Sequence, residues 1–232
     1  DEGETIPWMV NRERVNPRCI MVNRNGKRFA NEASNYNAFG AAFHQLDPGT
    51  FEYRNIPAWM IFDQEYLVRY GLCRFRGEGK IPDWLASAST LAELADLIGC
   101  DGLGLEETVE CWNAQAADLD DVDFDRGKSV NDIHWGDGTK TLAATLGPID
   151  KPPYYAVEVR PGALGTKGGP QTNANAQILD VDGEVIKGLY AAGNVMASAM
   201  GMAYGGAGGT LGPCMVFGFI AGKHSAEELF QK

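Results

Sequence analysis

Half of the twelve residues from Gly201 to Gly212 (GMAYGGAGGTLG) are glycine, and an apolar stretch from Leu211 to Phe230 follows directly. Just upstream, Gly188 to Asn194 (GLYAAGN) reads as a small-residue strand running into a loop. The order predicts a strand, a glycine-rich turn and a long closing helix, in which Gly218 and Gly222 would let the helix lie close to another element. Amides at the start of a helix lack intrahelical acceptors, so the N–H groups of Gly209, Thr210, Leu211 and Gly212 are expected to be available to an anionic or carbonyl ligand. The helix dipole adds positive potential at the same place. A tight helix entry, glycine-rich only for close packing, would give the same pattern.

The 232 residues suffice for one large or two modest domains, and 44% apolar with 10% aromatic residues is an ordinary globular composition. A formal net charge of -11 argues against nucleic acid or an anionic membrane as partner. Five scattered cysteines without a CxxC pair indicate neither a zinc framework nor a disulfide scaffold, and with no signal pattern or apolar run of membrane-spanning length they place the expected location in the cytoplasm.

Along the chain, Cys19–Val22 is expected as a strand before an Asn25-Gly26 turn with basic flanks. A short helix is expected over Asn35–His44, a buried strand over Ile56–Asp63 and a short helix over Glu65–Tyr70. Thr90 and Glu93 form a capping box that opens a helix at Leu91, with Gly99 as its stop. Leu105, Thr108, Val109, Trp112 and Ala116 form one apolar stripe of a second helix. The segment YYAVEV after Pro152-Pro153 is a strand candidate, and Gln177–Ile186 a hairpin turned at Asp182-Gly183. The alternating Asp121, Asp123 and Asp125 mimic a calcium loop, but Arg126 and Asp132 occupy its sixth and twelfth positions, so the stretch reads as a solvated loop and no metal is expected.

Three blocks in order, NRNGKRFANE (Asn23 to Glu32), PGALGTKGG (Pro161 to Gly169) and GLYAAGN with its glycine-rich helix entry, resemble the FAD-binding proteins of the fumarate reductase, succinate dehydrogenase and 3-ketosteroid dehydrogenase group. The resemblance runs from about Asn16 to the end of the chain. Dicarboxylate reductases of that group carry a His in the block before the GG pair and an Arg after AAGE, cations that clamp substrate carboxylates. Here Ala163-Leu164-Gly165 stands at the first place and Tyr204 at the second. The pattern Tyr-x-Gly-x-Gly resembles the ketosteroid branch instead.

That resemblance implies roles. Tyr204 and the Gly208 N–H would hold the ketone oxygen, and Tyr36, which follows RFANE in RFANEASNY, would remove the proton. Asn194, Gly209, Thr210, Leu211 and Gly212 would contact FAD. The expected reaction is a dehydrogenation that places a C=C bond beside a ring ketone, with a ketosteroid-like substrate. A flavin-dependent reductase of another unsaturated substrate and a flavin-free binding module that keeps the cap fold are the alternatives. The expected fold is α+β: a catalytic or cap domain over residues 1–165, then, over 166–232, the last strands and closing helix of an α/β FAD-binding domain. The GxGxxG turn that holds the ADP half of FAD has no counterpart in these residues. The first half of that domain is therefore expected elsewhere, in the same gene product or in a separate chain, and the chain alone is expected to bind FAD poorly and to associate.

Overall fold

A computed structural model describes residues 8–230. The outermost residues of the two expected domains, 1–7 and 231–232, lie outside the described residues. The chain divides into two compact units, Asp1–Pro161 and Gly162–Lys232.

The first unit is built on a four-stranded antiparallel sheet: β1 (Cys19–Asn23), β2 (Ala58–Asp63), β3 (Ala86–Ala88) and β4 (Tyr154–Val159), in the order β1-β2-β4-β3. The register pairs Ile20 with Ile61 and Ile61 with Ala156, while Cys19 meets Phe62 and Phe62 meets Tyr155. Alternate residues therefore feed two cores. Ile20, Val22, Trp59, Ile61 and Ala156 pack with α3 (Leu91–Ile98) and α4 (Gly102–Asp118). Met21, Met60, Phe62 and Tyr155 pack with α1 (Tyr36–Ala42) and α2 (Gln64–Tyr70). With helices over both faces, every residue of β2 is buried, which is why AWMIFD is apolar without alternation.

The local signals account for the helix ends. Thr90 and Glu93 make the reciprocal capping box, and Gly99 stops α3 in the left-handed region at φ 69°. The α4 stripe of Leu105, Thr108, Val109, Trp112 and Ala116 is buried as expected, and the Trp112 indole donates to the Gly147 carbonyl at 2.9 Å. The Asn25-Gly26 turn rests on the first turn of α4. A Cβ on Gly26 would come within 2.3 Å of the Leu105 nitrogen, so this position requires glycine. Only a single bridge, Val22 to Arg28, forms beyond the turn, so the expected hairpin has one full arm. The short β3 and α5 (Val130–Trp135) were not expected: Ala-Ser-Ala has no apolar pattern, and a six-residue helix has too few turns to show one.

The second unit is thinner. β5 (Gln177–Leu179) and β6 (Val185–Tyr190) form the expected antiparallel hairpin, with Gly183 at φ 85° in its turn. The strand ends at Tyr190, not Asn194, because the chain tightens into a 3-10 turn over Gly193–Val195. The glycine-rich run follows, and α6 (Leu211–Phe230) closes the unit. Ile178, Ala191, Met196 and Phe217 make its small core. The Tyr190 hydroxyl donates to Glu228 at 2.9 Å and lies 2.9 Å from His224 Nδ1, tying β6 to α6. No described atom approaches Gly218 or Gly222, so the close contact expected there is not made among the described residues of this unit. Among the described residues no helix is long and apolar enough to cross a membrane.

Candidate active site

The segment that launches α1 hangs from buried charge. Arg28, read from sequence as part of a basic hairpin flank, is instead enclosed. Its guanidinium donates to both Glu32 oxygens at 2.9 and 2.8 Å and to both Asp121 oxygens at 2.9 and 2.8 Å, and it lies over the Trp112 ring. Arg126, wholly buried, donates to Glu32 at 3.1 Å and to the carbonyls of Cys19 and Asn16. The Met21 amide donates to Glu32 at 3.0 Å. Burial alone would raise the Glu32 carboxyl, but Arg28 and Arg126 outweigh it and hold the group below its ordinary range. Asp121 behaves likewise: burial opposes ionisation, and the Arg28 hydrogen bonds and charge win. The solvated-loop reading of the acidic stretch is therefore corrected for Asp121, which is buried, caps the amides of Asp123, Phe124 and Arg126, and anchors Arg28.

From this network Arg14 reaches towards Tyr36. It donates to the carbonyls of Glu32 and Ser34, the latter at 2.9 Å, and its guanidinium covers the Phe39 ring at 4.3 Å. Burial and the charge of Arg126 push Arg14 down to about 10. Asn35 then caps the helix by accepting from the Ala38 amide at 2.9 Å. Tyr36 is the first residue of α1 and is 37% exposed, so its ring stands at the rim of the unit. Phe39 and Phe43 belong to one core and Trp59 and Ile61 to the other, on opposite faces of the sheet, so these apolar side chains do not line one cavity.

In the second unit the motif blocks converge. The Gly168 amide donates to the Asn194 carbonyl at 3.0 Å, and a Cβ on Gly169 would sit 2.0 Å from the Val195 oxygen. The Ala197 amide donates to the Pro170 carbonyl at 2.9 Å. PGALGTKGG and GLYAAGN are thus laid side by side, Asn194 being exposed on the 3-10 turn. A cleft of about 370 Å³ opens beside them, lined by Thr172, Asn173, Met196, Ser198 and Phe217 among others.

Tyr204 is half-buried, its ring edge against the backbone of Gly209: a Cβ added there would lie 2.9 Å from Tyr204 Cε2. Gly208, with φ 88°, presents its backbone outward, and its amide has no acceptor among the described residues. Two of the four amides expected to be available at the helix entry are already committed. Gly209 donates to Gly206 at 3.0 Å and Gly212 to Gly208 at 2.8 Å, closing the turn into α6. Thr210 and Leu211 keep amides with no acceptor among the described residues. These orphan donors at the start of a twenty-residue helix, with open space around Gly205, Gly206, Gly208 and Gly212, fit the electron-rich carbonyl edge of a flavin. Lys167 was passed over in the sequence. Its place in PGALGTKGG, two residues before the GG contact with Asn194 and Val195 is complete, was the available signal.

The fold and this arrangement of blocks define a flavoprotein, and the chain belongs to the FAD binding domain family, which it matches over residues 2–211. It is 45% identical over 223 residues to 4-oxocyclohexanecarboxylate 2-dehydrogenase of Sinomonas cyclohexanicum, an alignment covering 96% of this chain and 39% of that protein. It is 44% identical over 233 residues to 3-oxosteroid 1-dehydrogenase of Mycobacterium tuberculosis, covering 96% of this chain and 41% of that one. The crystal structure of 3-ketosteroid Δ1-dehydrogenase from Sterolibacterium denitrificans, in complex with 1,4-androstadiene-3,17-dione, superposes with a TM-score of 0.86 at 41% identity, over 98% of this chain and 42% of that one. The chain spans about two fifths of the length of these relatives. The expected family and its FAD cofactor stand, and the mixed α and β architecture matches that of the superposed ketosteroid dehydrogenase.

Proposed function

We propose that this chain carries the ketone-binding and proton-abstracting residues of an FAD-dependent dehydrogenase that introduces a C=C bond beside a ring ketone, with 3-ketosteroid 1,2-dehydrogenation as its reaction. The observation that carries the reading is the ring edge of Tyr204 against Gly209, next in the chain to Gly208, with a tyrosine standing where dicarboxylate reductases would need a cation. The phenol and the Gly208 amide would offer two neutral hydrogen bonds to one carbonyl oxygen, which suits a ketone, whereas neither donor carries the charge with which an arginine clamps a carboxylate.

In the proposed reaction Tyr204 and the Gly208 N–H hold the ketone oxygen and stabilise the negative charge that gathers there as the neighbouring carbon loses its proton. Tyr36 takes that proton. Bound FAD would supply the acceptor for the hydride leaving the next carbon, so the proton and the hydride lost from the two C–H bonds are both accounted for. Thr210 and Leu211 would hold the flavin edge through their amides. Gly209 and Gly212, whose amides close the turn, would admit the flavin by lacking side chains, beside Asn194. Residues 1–165 act in this reading as the catalytic or cap domain and 166–232 as the closing segment of the FAD domain. A GxGxxG-bearing segment, in the same polypeptide or another, completes the cofactor site.

The test uses the full-length protein, anaerobic and with its flavin oxidised. Addition of a 3-ketosteroid bleaches the flavin absorbance, succinate leaves it unchanged, and Tyr36→Phe slows bleaching by about a hundredfold or more, as loss of a general base does. A monocyclic ring ketone separates the steroid reading from a small-ketone one. Bleaching by succinate and by neither ketone refutes the proposal.

A further inference from the structure

Among the described residues of the second unit the cations are Lys167, Lys187 and Lys223, and only Lys167 stands at the glycine-rich run. Its root is fixed, because the next two residues make the Gly168 hydrogen bond to Asn194 and the tight Gly169 contact with Val195. Its tip crosses to the loop. Nζ donates to the carbonyl of Ala203, the residue before Tyr204, and reaches Ser198 Oγ at 3.5 Å. Ser198 in turn accepts from the Met200 amide at 3.2 Å through its hydroxyl and from the Gly201 amide at 3.0 Å through its carbonyl. The same ammonium lies 5.9 Å from the centroid of the Tyr204 ring, within the range at which a cation feels a ring face.

We propose that Lys167 is a positioning residue for ketone recognition: it fixes the backbone that presents Tyr204 and places a positive charge beside the phenol. This rests on the ketone-binding role proposed for Tyr204. The geometry supports two effects at once. A loop containing Gly201, Gly205, Gly206 and Gly208 loses much conformational entropy when ordered, and an ammonium holding two oxygens on either side of the bend offsets part of that loss. The charge favours a ligand whose oxygen carries negative charge over its neutral counterpart, which is the difference between the enolate-like transition state and the ground-state ketone.

The experiment uses the full-length holoprotein with Lys167→Met, Lys167→Gln and Lys167→Arg, each first shown to retain its flavin absorbance. Binding of 2-naphthol, above and below the pH at which it ionises, and of the neutral ketone 2-tetralone is followed by perturbation of the flavin spectrum. In the Met and Gln variants the preference for the naphtholate over the neutral ketone falls by about three- to tenfold, and Arg restores most of it. Anaerobic flavin reduction by the ketone substrate slows about ten- to a hundredfold in Met and Gln, with the larger change in kcat than in KM. Equal weakening of both ligands, or no rescue by Arg, makes Lys167 a structural tie only and overturns the proposal. Wild-type rates in Lys167→Met overturn it as well. If the wild-type protein itself neither binds 2-tetralone nor is bleached by a ring ketone, the proposed function has failed and not the role of Lys167.

Discussion

Tyr36 and Tyr204 are presented by opposite kinds of scaffold. The segment before Tyr36 is held by side chains with almost no exposure: Arg14, Arg28, Glu32, Asp121 and Arg126 bond one another and several backbone carbonyls, and aromatic rings cover all three guanidinium groups. The segment before Tyr204 is a glycine-rich loop secured by one lysine and by its own turn. The proposed base is thus fixed by a network whose disruption threatens the fold of its unit, whereas the proposed ketone-binding tyrosine is fixed by a few replaceable contacts. Damage to the first should appear as lost stability, and damage to the second as lost recognition in a folded protein.

The sharpest break of the comparison is Glu32→Gln. The substitution keeps the shape but removes the carboxylate charge that neutralises Arg126 and half of Arg28's pairing, leaving buried positive charge poorly matched. A loss of about 3–5 kcal/mol is expected in urea unfolding, the cost typical of breaking a buried pair from one side. The pH dependence sharpens it. Because Glu32 and Asp121 are both held below their ordinary ranges, the unfolded chain binds more protons than the folded one at acid pH. Their contribution is complete above the ordinary carboxylate value of 4.5 and is lost as pH falls through the depressed folded values. The wild type should lose stability more steeply below pH ~4.5 than Glu32→Gln does, measured as unfolding free energy against pH. Parallel curves would mean the carboxylate is not ionised by the network.

The second region responds differently to Gly209→Ala. A methyl there meets the Tyr204 ring at 2.9 Å and the Gly206 oxygen at 3.0 Å, so the ring must turn away or the loop must shift. An effect of about 1–3 kcal/mol on the stability of this unit is the ordinary range for crowding. The larger consequence falls on the ketone site, where a displacement of this size lowers the flavin-reduction rate by about a hundredfold at most. Unfolding of the first unit should be unchanged, and an equal loss in both would remove the contrast.

How much of this was legible in the sequence follows the range of the interactions. Local signals were read correctly: the Thr90-Glu93 box, the α4 stripe, the Asp182-Gly183 turn and the length of α6 each depend on neighbours a few residues away. The charge network was not legible. Arg28 and Asp121 are 93 residues apart, and each by itself looks like a surface residue of a polar segment. Arg126, which counted against a calcium loop, is in fact the buried partner of Glu32. At the helix entry, glycine spacing indicated available amides but could not show which would be consumed by the turn itself, and Gly209 and Gly212 were. The Lys167 tie joins residues 36 apart across a loop without periodicity, so its place in the PGALGTKGG block was the one signal and its partner could not be read.

The smallest effect on folding comes from α6, where the comparison extends to surfaces. The first unit covers both faces of its sheet, but α6 leaves Met215, Val216 and Phe219 largely exposed, with Leu211 at its start. An apolar face of this kind promotes association. Phe219 is 73% exposed, so Phe219→Glu removes apolar surface at little cost to the fold, within about 0.5 kcal/mol. The 232-residue chain expressed alone should elute as an associated species in size-exclusion chromatography, and Phe219→Glu should shift it towards the monomer. Introduced into the full-length holoprotein, the same change should weaken flavin retention if this face is covered there, because the charge would then be buried. An unchanged elution profile for the isolated chain would show that the exposed face of α6 does not drive association. The difference between the two units would then lie in how their tyrosines are held and not in how their surfaces are covered.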